Sequence, residues 1–218
     1  MLNSKPFDLE HYFTLGYAVT QVDLTVCDEL LAQVKKEPFR EESKLLDTNP
    51  LIPAWDTGDH KGTWRNQPPK YIVDFWNKVA QNSYFAYFHL IYGEFSQKNM
   101  MVQKYVKGSK VPFHQDVHEG LHITNVLYLS DDEFSEDDGG DLRLGRWNLD
   151  ERYWGKLDTV EKLARVEPTH GTLVSICNVI PTFCHSVSEV LTDKTRYSMI
   201  CRMGYAENAE KNKLAALF

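Results

Sequence analysis

A mainly β protein with a few supporting helices is the fold class this sequence predicts, on three observations. From Met100 onward the apolar period changes to two, the period of a half-buried strand. Short apolar runs there are separated by polar turns. Aromatic residues make up 12% of the chain, a share that suits an all-β or mixed core. Many short strands joined by polar turns point to a β-sandwich or a jelly-roll barrel. With 218 residues, 42% of them hydrophobic and 25% charged, the chain is expected to form one generous domain, residues 1–218. Within it, residues 1–99 read as a helical support and loop region, and residues 100–205 as the β core.

Gly16–Thr20 reads as a short strand. Asp23–Lys36 reads as a helix: Asp23 or Thr25 can cap it, and Leu24, Cys27, Leu30, Leu31 and Val34 recur at helical spacing. From Glu37 to Lys70 the pattern dissolves among five prolines, with Trp55 and Trp64 between polar residues. Such a stretch is a long surface connection or a loop walling a pocket. Pro69–Gly93 reads as one long helix whose widely spread apolar residues suit packing across a sheet. Strands are then expected at Met101–Val106, Leu121–Ser130, Leu142–Leu144, Gly171–Ile176, Cys184–Val187 and Arg196–Met203. The tail from Ala206 to Phe218 reads as a short helix.

The bulk properties exclude several function classes. A net charge of −7 argues against non-specific nucleic-acid binding, which draws on a basic face. No apolar run approaches the ~18–20 residues needed to span a bilayer, and no signal peptide is evident at the N-terminus. Cys27, Cys177, Cys184 and Cys201 show no paired spacing, so free thiols in a reducing cytoplasm are expected. Asp131–Asp141 carries seven carboxylates but lacks the ligand spacing and central glycine of an EF-hand, and reads as a solvated hairpin loop.

Two metal patterns compete for one stretch. His118-Glu119-Gly120-Leu121-His122 spells HExxH, which serves a zinc protease only on a helix, where i and i+4 share a face. Pro112 upstream, Gly120 within and the alternating strand after His122 all oppose that helix. The extended reading fits better. His114 and Asp116 sit two residues apart, so on extended backbone both point to one face. His185, beyond a later strand, is the best candidate for a third ligand. Two histidines and one carboxylate on one face suit non-haem Fe(II) and leave coordination positions open for chemistry. Arg196, eleven residues on, can grip a carboxylate with two parallel hydrogen bonds if it points inward, and Ser198 shares its face.

In order and spacing these residues resemble the Fe(II)/2-oxoglutarate-dependent dioxygenases, in particular their prolyl-4-hydroxylase-like branch. The resemblance runs from about Met101 to Met203. Its parts are Tyr105-Val-Lys-Gly108, His114-Gln-Asp116, Thr124-Asn-Val-Leu-Tyr128, Gly139-Gly140, Gly171-Thr-Leu-Val, His185-Ser-Val and Arg196-Tyr-Ser198. It implies a double-stranded β-helix, the cupin-like jelly roll. It implies Fe(II) on His114, Asp116 and His185. It also implies 2-oxoglutarate held by Arg196 with Tyr128 donating, Tyr105 beside the metal-proximal end of the cosubstrate or in contact with substrate, and O2 as the oxidant; Ser198, on the face of Arg196, could add a hydroxyl donor. Because a carboxylate stands at Asp116, where halogenases of the family have a small residue, the expected outcome is hydroxylation.

Arg202, six residues after Arg196, would share its face and is a further candidate for a carboxylate contact; the alternative is a strand-end arginine in solvent. His122 is a candidate pocket-lining residue. Asn178 and Cys184, flanking the His185 turn, are expected to support or pack. The expected substrate is a small molecule such as an amino acid, with neither nucleic acid nor membrane expected as a partner. The alternatives are a prolyl-type side chain on a protein or peptide, and a cupin-like protein that binds a ligand without turnover. Segments 37–70 and 145–165 are the ones expected to shape substrate choice.

Overall fold

The computed structural model describes residues 2, 7–41, 61–63, 68–92, 95–116, 121–147, 160–180 and 182–205. Among the described residues eleven strands form two antiparallel sheets: β1 (Tyr17–Gln21), β2 (Arg40–Glu41), β3 (Lys61–Thr63), β4 (Phe95–Tyr105), β5 (Val111–His114), β6 (Leu121–Leu129), β7 (Leu142–Trp147), β8 (Val160–Val166), β9 (Thr172–Cys177), β10 (Phe183–Val187) and β11 (Arg196–Tyr205). The larger sheet runs β1-β9-β6-β11-β4-β3-β2 and the smaller β5-β10-β7-β8. This is the jelly roll anticipated from the strand pattern. The helices among the described residues are α1 (Leu9–Leu15), α2 (Leu24–Val34), α3 (Lys70–Ala80) and α4 (Ala86–Tyr92).

The larger sheet is covered on both faces, and its alternation sorts residues between them. On one side Val102, Ile123, Leu127, Leu129, Leu173, Met199 and Cys201 meet the helices through Ile72, Phe75, Trp76, Val79, Phe85 and Phe88. Burying apolar side chains such as Ile72 and Phe85 contributes about 1.5–3 kcal/mol each. On the other side Met101, Val126, Tyr128, Val174, Ile176 and Ile200 pack with Leu142 and Leu144 of the smaller sheet. The candidate site lies in this second layer, between the sheets.

Several local expectations hold. Helix α2 begins after Asp23, whose side chain accepts from the Thr25 amide at 3.0 Å. The four cysteines are buried free thiols. Among the described residues no helix is long and apolar enough to cross a membrane.

Others are corrected. The helix read as continuous over Pro69–Gly93 breaks after Ala80: Asn82 leaves helical geometry, its side chain accepts from the Tyr84 amide, and a 3-10 turn, Ser83–Phe85, precedes α4. Strand β4 starts at Phe95, β7 extends to Trp147, and β8 occupies part of the 145–165 segment. Helix α1 was not anticipated; its seven residues are too few to carry a helical stripe. The acidic loop is more ordered than a solvated hairpin, because Asp138 and Asp141 are buried. Asp138 accepts from Ser135, Thr192 and Lys194, and Asp141 from Ser188 and Arg143. Trp55, Trp64, His118, Tyr153, Trp154 and the tail 206–218 lie outside the described residues.

Candidate active site

Strands β5 and β10 are antiparallel neighbours, and His114 is the direct partner of His185 across them. Opposed residues share a face, and here the ring centroids stand 4.2 Å apart. Asp116 follows just beyond the end of β5. One carboxylate oxygen is 3.9 Å from His114 Nε2 and the other 3.8 Å from His185 Nε2. The three donor groups lie within 4.8 Å of one another, a spacing that one cation can bridge.

The protonation states suit a cation. His114 Nδ1 lies 2.9 Å from the Pro112 carbonyl oxygen, so Nδ1 carries the hydrogen and Nε2 presents its lone pair. Burial holds His114 below its ordinary value despite the nearby Asp116. Burial and the neighbouring His114 pull His185 down to about 3. For Asp116, burial opposes ionisation, but His185, Arg202 and His114 outweigh it and hold the carboxyl well below the usual carboxylate range. Neutral imidazoles and an ionised carboxylate are what a divalent metal requires.

The three residues open on a cavity of about 60 Å³, lined also by Gln103, Tyr105, Thr124, Tyr128, Ser198 and Arg202. The alternation of β4, β6 and β11 turns these side chains to the inner layer. Arg196 lies behind this lining and is fully buried. It donates to Ser198 Oγ at 2.5 Å and to the Gly140 carbonyl at 2.7 Å, and its guanidinium sits 4.0 Å from the Tyr105 ring centroid and 5.1 Å from that of Tyr128. Burial lowers its affinity for the proton, yet a guanidinium stays charged. Its Nε has no hydrogen-bond partner among the described residues. A buried cation with a spare donor beside a polar cavity fits an anionic ligand. Gly140, at φ +70°, makes the close approach feasible: a Cβ there would stand 3.3 Å from Arg196 Nε.

Arg202 does face inward with Arg196, and the partner that the sequence did not reveal is Asp116, reached by Nη2 at 2.7 Å. Thr124 was missed as a site residue. It lies directly opposite Arg202 across β6 and β11 and donates to Asp116 at 2.6 Å. Alternation could have found it, since Thr124 shares a strand face with Tyr128. Gln103 was also missed, and accepts from the Tyr105 hydroxyl at 2.7 Å. Asn178 supports Thr124 at 2.9 Å. His122 is buried on β6 and is not among the residues lining the cavity. Cys184 packs with Phe113, Trp147 and Val160.

The jelly roll gathers two imidazoles and one carboxylate on its inner face, a donor set that could hold one metal ion and is of the kind that suits Fe(II). Residues 100–203, the stretch that holds His114, Asp116, His185 and Arg196, match the family model described as the 2OG-Fe(II) oxygenase superfamily, just under half of the chain. The chain is a 2-oxoglutarate-dependent dioxygenase using Fe(II) and O2. No curated protein sequence matches the chain at a significant level. Among solved structures, the fold is similar to a prolyl-4-hydroxylase of Pseudomonas putida, at 17% identity and a TM-score of 0.60, covering 91% of this chain and 97% of that one. It is similar to a Trichoplax adhaerens prolyl hydroxylase in complex with a hypoxia inducible factor peptide fragment, at 16% identity and 0.56, covering 95% and 90%. It is also similar to HygX of Streptomyces hygroscopicus with nickel, 2-oxoglutarate and hygromycin B bound, at 12% identity and 0.59, covering 91% and 86%.

Proposed function

We propose that this dioxygenase hydroxylates an unactivated C–H bond of a small polar molecule, with a free amino acid as the leading class. His114, Asp116 and His185 hold Fe(II), and Arg196, with Tyr128, Tyr105 and Ser198 around it, receives the far carboxylate of 2-oxoglutarate. When bound, these two supply the oxidising power that places one oxygen atom of O2 in the substrate while 2-oxoglutarate becomes succinate and carbon dioxide.

The protein's own groups set the conditions for that chemistry. Apolar side chains from both sheets, among them Val126, Ile200, Leu142 and Val187, line the cavity beside the polar ones, a setting that favours holding the cosubstrate's charged ends on fixed donors. Tyr128, whose phenol burial pushes up to about 12, stays protonated and serves as a neutral donor near Arg196. The observation that carries the small-molecule reading is Arg202. Its side chain is 16% exposed, lines the cavity next to Asp116, and leaves Nε without a partner among the described residues. A cation placed there suits a substrate bearing its own carboxylate.

A second reading, hydroxylation of a prolyl-type side chain on a protein or peptide, is supported by the prolyl hydroxylases among the similar folds. Succinate release with Fe(II) and 2-oxoglutarate, measured against panels of free amino acids, related metabolites and proline-containing peptides, separates the two. Stimulation by a carboxylate-bearing metabolite is the expected result. Stimulation by peptides alone overturns the small-molecule reading.

A further inference from the structure

Both oxygens of the Asp116 carboxylate are engaged by side chains outside the three metal candidates. Oδ1 accepts from Arg202 Nη2 at 2.7 Å and Oδ2 from Thr124 Oγ1 at 2.6 Å. Thr124 has one hydroxyl proton and spends it on Asp116, so its oxygen can only accept from elsewhere. Asn178 Nδ2 fills that role at 2.9 Å. Asn178 is anchored in turn, because its backbone N–H donates to the His122 carbonyl at 3.0 Å. That same carbonyl accepts the Tyr12 hydroxyl of α1 at 3.1 Å. One register, Thr124 opposite Arg202, sets the two donors on either side of a single carboxylate.

We infer that Arg202, Thr124 and Asn178 are positioning residues that clamp the Asp116 carboxylate in one rotamer for the metal. The inference rests on reading His114, Asp116 and His185 as the metal centre. The clamp acts through geometry. Rotation of the carboxylate about Cβ–Cγ surrenders at least one of two short hydrogen bonds, so the metal meets a fixed ligand instead of one that must be ordered on binding. A freed carboxylate could instead turn both oxygens to the metal and take a coordination position that the cosubstrate or O2 needs. Arg202 adds a positive charge beside Asp116, which leaves more of the metal's own charge to attract an anionic ligand.

The test uses Co(II), whose visible absorption reports coordination geometry, titrated into the full-length metal-free protein. Thr124→Val keeps the shape and removes the donor. It is expected to weaken Co(II) binding about 10- to 100-fold and to change the absorption of the bound ion, a change in coordination geometry that a lower unfolding midpoint of the metal-free protein does not by itself produce. Thr124→Ser should restore both affinity and spectrum. Asn178→Ala should shift them the same way by less. Arg202→Lys keeps the charge but not the planar fork, and should change the spectrum. Wild-type affinity and spectrum in Thr124→Val overturn the inference. So does an affinity loss that follows a fall in the metal-free unfolding midpoint and that serine does not restore. His185→Ala separates the two levels: if it binds Co(II) like the wild type, the metal-centre reading itself fails, whereas loss there without loss in Thr124→Val removes only the clamp.

Discussion

Replacing Arg196 by methionine should move stability and cosubstrate affinity by very different amounts. Arg196 is fully buried, donates to Ser198 and Gly140, and stacks against Tyr105. Exchanging a buried charge for an apolar side chain of similar volume is often neutral or stabilising, by about 1–4 kcal/mol. Against that, the Gly140 carbonyl and the Ser198 hydroxyl lose a partner, at about 1–3 kcal/mol for a group left unsatisfied. The two contributions nearly cancel, so the stability of the metal-free protein should change by no more than about 2 kcal/mol in either direction. Affinity for 2-oxoglutarate has no such offset. Two charge-assisted hydrogen bonds at about 1.5–3 kcal/mol each are lost, which corresponds to roughly 10²- to 10⁴-fold weaker binding. Guanidinium unfolding of the metal-free variant gives the first quantity, and equilibrium dialysis of 2-oxoglutarate onto the metal-loaded variant gives the second. A folded Arg196→Met protein that binds 2-oxoglutarate within about tenfold of wild type refutes the assignment of Arg196 as the anchor. A stability loss above about 5 kcal/mol would show that the guanidinium is mainly structural.

Two other perturbations follow from the geometry. Burial and the nearby His114 depress His185 to about 3 from an ordinary 6.5, so its neutral form is favoured in the folded state. That contribution is complete above pH 6.5 and is lost as pH falls toward 3. The metal-free protein should therefore show a steeper fall in urea midpoint across that window than His185→Gln, and equal slopes would refute the burial argument. Gly139→Ala should be far worse than Gly108→Ala. Both glycines have positive φ, which costs a non-glycine residue about 1–2 kcal/mol, but a Cβ at Gly139 would stand 1.9 Å from the Glu189 carbonyl oxygen while Gly108 has open space. Unfolding free energies of the two variants within about 0.5 kcal/mol of each other would contradict the clash.

Much of the site was legible because it depends on short spacings. His114 and Asp116 are two apart on extended chain, and Arg196 and Ser198 likewise, so alternation alone turns each pair to one face. The wrong zinc-protease reading failed on equally local grounds, and β6 does begin within the HExxH string. What stayed hidden depends on long-range register. Arg202 and Asp116 are separated by 86 positions, and Asn178 and Thr124 by 54; no local pattern announces such partners. The break after Ala80 escaped notice for a different reason, since apolar residues on both sides of it pack on the same sheet face and keep the periodicity looking continuous.

By itself the sequence determined the strand-rich architecture, the chemistry-bearing residue types and the faces they occupy. Hydrophobic alternation and ligand spacing are properties of a few consecutive residues and survive without a fold. Only the tertiary structure decided that His114 and His185 face each other across β5 and β10, that Arg196 is buried behind Tyr105 and Tyr128, and that Asp116 is held from both sides. These are contacts between strands distant along the chain. The pairing of strands into two sheets creates them, because register fixes which side chains from separate segments meet.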